Sequence, residues 1–197
     1  PRLISGGAHG ADEWFEKCAF AKGHQVCVIS FYEHTTNAKP ENVVQFTHAA
    51  LEENASRLAH VGNVIAKHVP AGGYTRWLLL RNITVAMKAD VMFAVISATL
   101  SPPTDLFIGV PGGTGWTAQC FALEYLFNNH PQCPHQANVP LWVFDGTFRW
   151  HRLIYHTGVG FSWKTLETPP IIPKHSIYAG IGSREFSKIQ RDAVESL

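Results

Sequence analysis

LISGGAHGAD, residues 3–12, is an apolar run that ends in closely spaced glycines and passes into a helix-forming segment. The same figure recurs in FIGVPGGTGW, residues 107–116, and in IYAGIGSRE, residues 177–185. Each describes a strand that stops at a glycine corner before a helix. Such a corner leaves unpaired backbone N–H groups, and the positive end of the helix, aimed at one spot. If the strands are parallel, all three corners fall at the carboxyl edge of one sheet and can share a ligand. Their order is unusual. IYAGIGSRE resembles the opening of such a domain but lies near the C-terminus, whereas Pro1 leads directly into what reads as a second strand.

Outward from these corners, strand and helix patterns alternate. Trp14, Phe15, Cys18, Ala19 and Ala21 have helical spacing over Asp12–Lys22, and Gly23 stops that helix. Gln25–Phe31 is an apolar strand, and Tyr32–Pro40 is polar and turn-rich. Val43, Val44, Phe46, Ala50, Leu51 and Leu58 form a stripe predicting one long second helix, with a third from about Thr75 to Lys88. Val91–Ser97 has the continuous apolar character of a central parallel strand. Asp105–Val110 resumes an extended segment, followed by a helix over Thr117–Phe127 and a strand over Leu141–Asp145. About 146–176 the texture changes to aromatics, histidines and prolines, an irregular or hairpin-bearing excursion. Ile177–Gly180 is then a strand and Phe186–Leu197 a closing helix. The pattern gives one α/β domain over 1–197, a Rossmann-like, doubly wound, mainly parallel sheet.

Composition limits the chemistry. With 197 residues, 46% of them hydrophobic, the chain can bury a full core without disulfides or a structural metal. A net charge of +1 with no basic stripe disfavours duplex DNA as a partner. Cys18, Cys27, Cys120 and Cys133 have no Cys-x-x-Cys spacing, which suits buried thiols in a reducing, cytoplasmic setting. No apolar run has the length of a bilayer span, and Pro1 opens no charged-then-apolar leader. The eleven histidines include no helical His-x-x-x-His pair beside a carboxylate, so neither a metal nor another cofactor is expected.

The corners carry the candidate site. In the first, Gly6 and Gly7 allow close backbone approach around Ala8, and Gly10 lets the helix pack on its strand. Steric demand at any tight corner would select the same glycines. Asp12, in the first helical turn, suits either a cap or a contact to a ribose hydroxyl. In the second corner Gly112, Gly113, Thr114 and Gly115 present successive N–H groups, and Thr114 adds a hydroxyl. In the third, Gly182 and Ser183 offer donors, Arg184 can clamp a phosphate, and Glu185 can meet a ribose or move a proton. Arg81, beside Asn82 on an otherwise apolar helix, must reach solvent or an anion. The aromatics between Phe148 and Trp163 suit either a stacking wall for a base or local core. Glu33 lies where a nicotinamide enzyme keeps its ribose acid, but Gly6-Gly7-Ala8-His9-Gly10 lacks the spacing of that class.

IYAGIGSRE, SGGAHGAD, Arg81-Asn82 and PGGTG together resemble the SLOG superfamily, the Rossmann-like group containing the LOG phosphoribohydrolases and the DprA-type and YpsA-type proteins. In many members the GIGSRE-like corner comes first, so this order resembles the circularly permuted YpsA-type branch. The resemblance implies neighbouring chain ends, Arg81 and Asn82 facing the site, and a possible homodimer. The corresponding LOG motif reads Pro-Gly-Gly-x-Gly-Thr-x-x-Glu, and its Glu takes part in cleaving the bond between base and ribose 5′-phosphate. Here Trp116 stands at the Thr and Gln119 at the Glu. A carboxamide does not exchange a proton near neutral pH.

The expectation is therefore a module that binds a nucleotide or nucleotide-derived small molecule at the carboxyl edge, with Gln119 among its contacts. The alternative is a nucleoside 5′-monophosphate N-glycosidase, with Glu185 or Asp12 as acid or base and Arg184 or Arg81 on the phosphate. A DprA-like partner of single-stranded DNA is disfavoured by the near-neutral charge.

Overall fold

The computed structural model describes residues 1–129, 135–185 and 187–197. Cys133 and Phe186 lie outside them. Among the described residues an eight-stranded sheet has the order β3-β2-β1-β8-β4-β5-β6-β7. Its strands are β1 Arg2–Ser5, β2 Gln25–Phe31, β3 Val43–Phe46, β4 Val91–Val95, β5 Gln136–Phe144, β6 Trp150–His156, β7 Gly160–Thr165 and β8 Ile177–Gly182. The six strands from β3 to β5 in that order are parallel, and the β6–β7 hairpin adds two antiparallel strands beyond β5. The helices are α1 Ala11–Ala21, α2 His48–Glu52, α3 Ala55–Val64, α4 Gly73–Met87, α5 Gly112–Asn129 and α6 Lys188–Glu195. This is the expected α/β, Rossmann-like architecture.

Two apolar cores flank the sheet. On one face Phe15 and Ala19 of α1, with Ala193 and Val194 of α6, pack on Leu3, Val28, Phe93 and Tyr178. On the other, Leu51, Leu58, Leu80, Ile83, Phe121 and Leu126 of α2 to α5 cover Ile29, Met92, Ala94 and Leu141. Continuous apolar strands such as β4, buried at all five positions, follow from having helices on both faces. The chain walks outward from β1 to β3, crosses to β4, and walks the other way to β5, leaving a switch point beside the late-arriving β8. α6 returns the chain to the opposite edge of the sheet, where the Glu195 carbonyl accepts from Lys22 Nζ at 2.8 Å. Pro1 lies at that same edge, its carbonyl accepting from Gln25 N at 3.3 Å.

Three expectations are corrected. Val43, Val44 and Phe46 belong to edge strand β3, and only Ala50, Leu51 and Leu58 lie on helices. Adjacent β-branched valines favour extended backbone. The Thr47 side chain then accepts from Ala50 N at 3.2 Å and starts a new helix. The fifth helix begins at Gly112, directly after Pro111, so the glycines expected to form a loop are its first turn. Asp105–Val110 joins no ladder; it is tied instead by Ser101 N to Gly109 O at 2.9 Å and by the Gln119 side chain.

Gly182 shows how tightly the switch point is packed. A Cβ there would fall on the Val95 carbonyl and 2.5 Å from Ala11 Cβ, whereas a Cβ at Gly113 would meet nothing. Gly182→Ala is expected to lose about 2–3 kcal/mol of stability. Gly113→Ala should instead be neutral or gain up to about 1 kcal/mol from helix propensity. Urea unfolding of the two variants checks the contrast; equal stabilities would contradict it.

Candidate functional site

The parallel strands bring the three glycine corners to one cleft of about 740 Å³ at the carboxyl ends of β1, β8 and β4. Its size is within the roughly 300–1,000 Å³ of small-molecule pockets. Ala8, Asp12, Arg81, Asn82, Gly112, Gly113, Thr114, Gly182, Ser183, Arg184 and Glu185 all line it. Gly6, Gly7, Gly10, Gly115 and Gln119 do not.

Those five have other duties. A Cβ at Gly6 would overlap Arg81 Nη1, so this glycine makes room for the guanidinium. Gly7 N–H donates to Ser5 Oγ at 3.0 Å. Gly10, at φ 96°, would place a Cβ 2.6 Å from the carbonyls of both Ser183 and Arg184, so corners one and three are pressed together. Gly115 lets α5 approach the Val110 carbonyl. Gln119 is fully buried: its Nε2 donates to Leu106 O at 2.7 Å and its Oε1 accepts from Ile108 N at 3.0 Å. The expected ligand contact at Gln119 is corrected to a brace for the loop before α5. Its carboxamide supplies both a donor and an acceptor to that loop, as an ionised carboxylate could not.

Asp12 occupies the space between corners one and three. Its carboxylate accepts from Gly182 N at 3.2 Å and from Ala8 N at 3.5 Å, with Gly6 N–H also turned toward it. Arg81 Nη1 stands 3.9 Å away. The donors expected to cradle a phosphate there are already turned to an anion of the protein's own. Burial nevertheless pushes the Asp12 carboxyl up to about 6, against the pull of Arg81 and the three amides. One helical turn further, Glu16 is 6% exposed and accepts from Ser5 Oγ at 2.6 Å. Burial lifts it to about 7, helped by the neighbouring carboxylates.

Arg81 is 4% exposed, and its Nε has no hydrogen-bond partner among the described residues. Nε is closed off from solvent, so what Arg81 offers the cleft is the positive charge of a buried guanidinium at its wall. The helices that begin at this edge differ in how their first turns are satisfied. α1 carries Asp12 and Glu13 there, and α6 has a capping box formed by Ser187 and Gln190. α4 has no side-chain cap, and neither α4 nor α5 has an acidic residue in its first turn. At Gly112 and Gly113 of α5 the space beside the backbone is open. This first turn, facing the cleft with Arg184 and Ser183 also on its lining, is the best seat for an incoming anion.

The cleft also contains residues that the glycine patterns did not reveal: His34, Thr35, Tyr74, Leu78, Ser97 and Thr117. His34 and Thr35 follow β2, so its carboxyl end carried the signal. The aromatics of the excursion are absent from this lining. Trp150 and Phe161 are buried in the two cores, and Trp163 Nε1 donates to Ile108 O at 2.7 Å. Among the described residues no group of three or more His, Cys, Asp or Glu is gathered as for a metal, and no helix is long and apolar enough to cross a membrane.

Comparison of the chain with protein-family models, with curated proteins and with solved structures gave no match.

The raised carboxyls set a pH dependence. The folded state keeps the Glu16 proton up to about pH 7, whereas the unfolded chain releases it near 4.5. The protonated carboxyl therefore stabilises the fold fully below about pH 4.5, and that contribution is lost as pH rises through 7. Glu16→Gln should remove the Glu16 share of this slope, leaving that of Asp12 below about pH 6, and raise stability at pH 8 by roughly 2–3 kcal/mol. Denaturation midpoints between pH 4 and 8 check it; an unchanged slope would contradict the assignment.

Proposed function

We propose that this protein binds a nucleotide or nucleotide-derived phosphorylated small molecule in the cleft, with the phosphate on the first turn of α5. The observation that carries the reading is the acid-free first turn of α5, open beside Gly112 and Gly113, facing a cleft whose wall also includes the buried guanidinium of Arg81. Arg184 and Ser183 supply further donors from the corner after β8. The resemblance of the three glycine corners to the SLOG superfamily supports the same ligand class. Titration calorimetry with AMP and adenosine tests it: AMP should bind saturably and adenosine at least about tenfold more weakly. Gly113→Asp should abolish AMP binding without unfolding the protein, because a carboxylate in that turn satisfies the same amides from within. Equal affinities for AMP and adenosine would reject the reading.

A second reading is favoured by Asp12, whose carboxyl near 6 can exchange a proton close to neutral pH inside the cleft. In that case the bound nucleoside monophosphate is hydrolysed at its N-glycosidic bond. Water oxygen joins the anomeric carbon, the C–N electron pair leaves with the base, and Asp12 or Glu185 transfers the proton that water loses and the base gains. Chromatography of AMP incubated with the protein separates the readings. Hydrolysis predicts free adenine and ribose 5-phosphate, at a rate reduced about 100-fold or more in Asp12→Asn or Glu185→Gln. Saturable binding without free adenine leaves the binding module.

A further inference from the structure

The cleft has a second end whose chemistry differs from the amide-lined one. There His34 is half-buried, its ring stacked on Phe31 with centroids 5.1 Å apart and planes 24° from parallel. Its Nδ1 lies 3.0 Å from the Oγ of buried Ser30. Phe31, fully buried, also meets the Tyr74 ring, at a centroid distance of 5.5 Å. A common floor thus holds two rings that line the cleft. Tyr74 is 47% exposed in the first turn of α4, and Leu78, one turn on, continues the same apolar wall.

This end suits a flat, apolar-faced group with a polar edge. Aromatic faces and a leucine favour ring burial, and the exposed phenol of Tyr74 leaves room for a partner to stack. Burial, reinforced by the charge of Arg81, drives His34 down to about 4, so it is neutral at physiological pH. Ser30 Oγ donates to the His34 carbonyl at 3.4 Å and so accepts from Nδ1–H, which leaves Nε2 of the neutral imidazole as an acceptor for one hydrogen bond. A site with one oriented hydrogen-bonding atom discriminates between rings of one shape but opposite edge polarity.

We propose that the His34–Tyr74–Leu78 end receives a planar heterocycle of the ligand and that His34 determines which heterocycle is accepted, through one hydrogen bond at Nε2. The inference rests on the reading of the α5 turn as the phosphate seat. It names the other half of the ligand: a heterocyclic ring joined to the phosphate through a short polar connector.

Three probes and two variants test it by titration calorimetry. Ribose 5-phosphate lacks the ring, whereas AMP and IMP differ at one ring edge, an exocyclic amino donor against a carbonyl acceptor. In the unaltered protein both nucleotides should bind about tenfold or more tightly than ribose 5-phosphate, and differ from each other by about tenfold. His34→Phe keeps the stack on Phe31 but removes the hydrogen bond. It should erase the difference between AMP and IMP while both remain tighter than ribose 5-phosphate. Tyr74→Ala, at a solvent-facing position, should bring both nucleotides toward the ribose 5-phosphate value. Neither variant should alter the affinity for ribose 5-phosphate itself, a split that general loosening of the cleft would not produce. Circular dichroism confirms that both variants fold. Nucleotides no tighter than ribose 5-phosphate, equal affinity for AMP and IMP, or a difference that survives His34→Phe would overturn the inference while leaving the phosphate seat intact. Failure of all three probes to bind would remove the phosphate seat, and this inference with it.

Discussion

The buried carboxylate of Asp12 holds the switch point together. It draws the amide of Gly182 from the end of β8 and that of Ala8 from the corner after β1, and faces the guanidinium of Arg81 from α4. Three elements far apart in sequence meet at one side chain. A second bond, Ala11 N to Ser183 O at 3.1 Å, reinforces the joint between the two corners. The geometry leaves no spare volume: Gly6 yields to Arg81, Gly10 to the Ser183 and Arg184 carbonyls, and Gly182 to Val95 and Ala11. An amide turned to an internal anion gains less from an external one, so the glycines of corners one and three serve packing instead.

That leaves the second corner, at the start of α5, as the anion seat. The dipole and free amides of a first helical turn attract negative charge only where nothing in the chain has met them. Asp12 and Glu13 meet them in α1, and the Ser187–Gln190 box does so in α6. The first turn of α5 is left open by Gly112 and Gly113 and carries no acid. Arg81 belongs to both sides of this division. Its Nη1 faces Asp12, whereas its buried Nε has no hydrogen-bond partner among the described residues, and its positive charge also helps to keep His34 neutral.

Much of the fold was legible because its signals are local. Gln25–Phe31 is a strand with the boundaries its apolar run suggests, and the change of texture after Asp145 does mark a hairpin added to the sheet. Val43 to Phe46 misled because a short amphipathic edge strand followed by a capped helix imitates one helical stripe over a few residues. The cleft was partly legible, since glycine corners after parallel strands must share an edge. What sequence could not separate was the reason for each glycine. Steric demand at Gly182 and open space at Gly113 look alike in a string of letters, and only the neighbours distinguish them. Gln119 was misplaced for a related reason: a motif fixes its position on the helix, but its partners Leu106 and Ile108 lie in a loop of irregular course. His34 and Tyr74 escaped notice because their common floor, Phe31, joins them only in three dimensions.

The central claim is that corners one and three hold an internal anion and that α5 holds the external one. Amide proton–nitrogen NMR spectra recorded during titration with inorganic phosphate test it residue by residue. The account predicts saturable shifts at Gly113 and Thr114, with Ala8 and Gly182 still bonded to Asp12 and nearly unmoved. Saturable shifts at Ala8 and Gly182 with silence at Gly113 would contradict it.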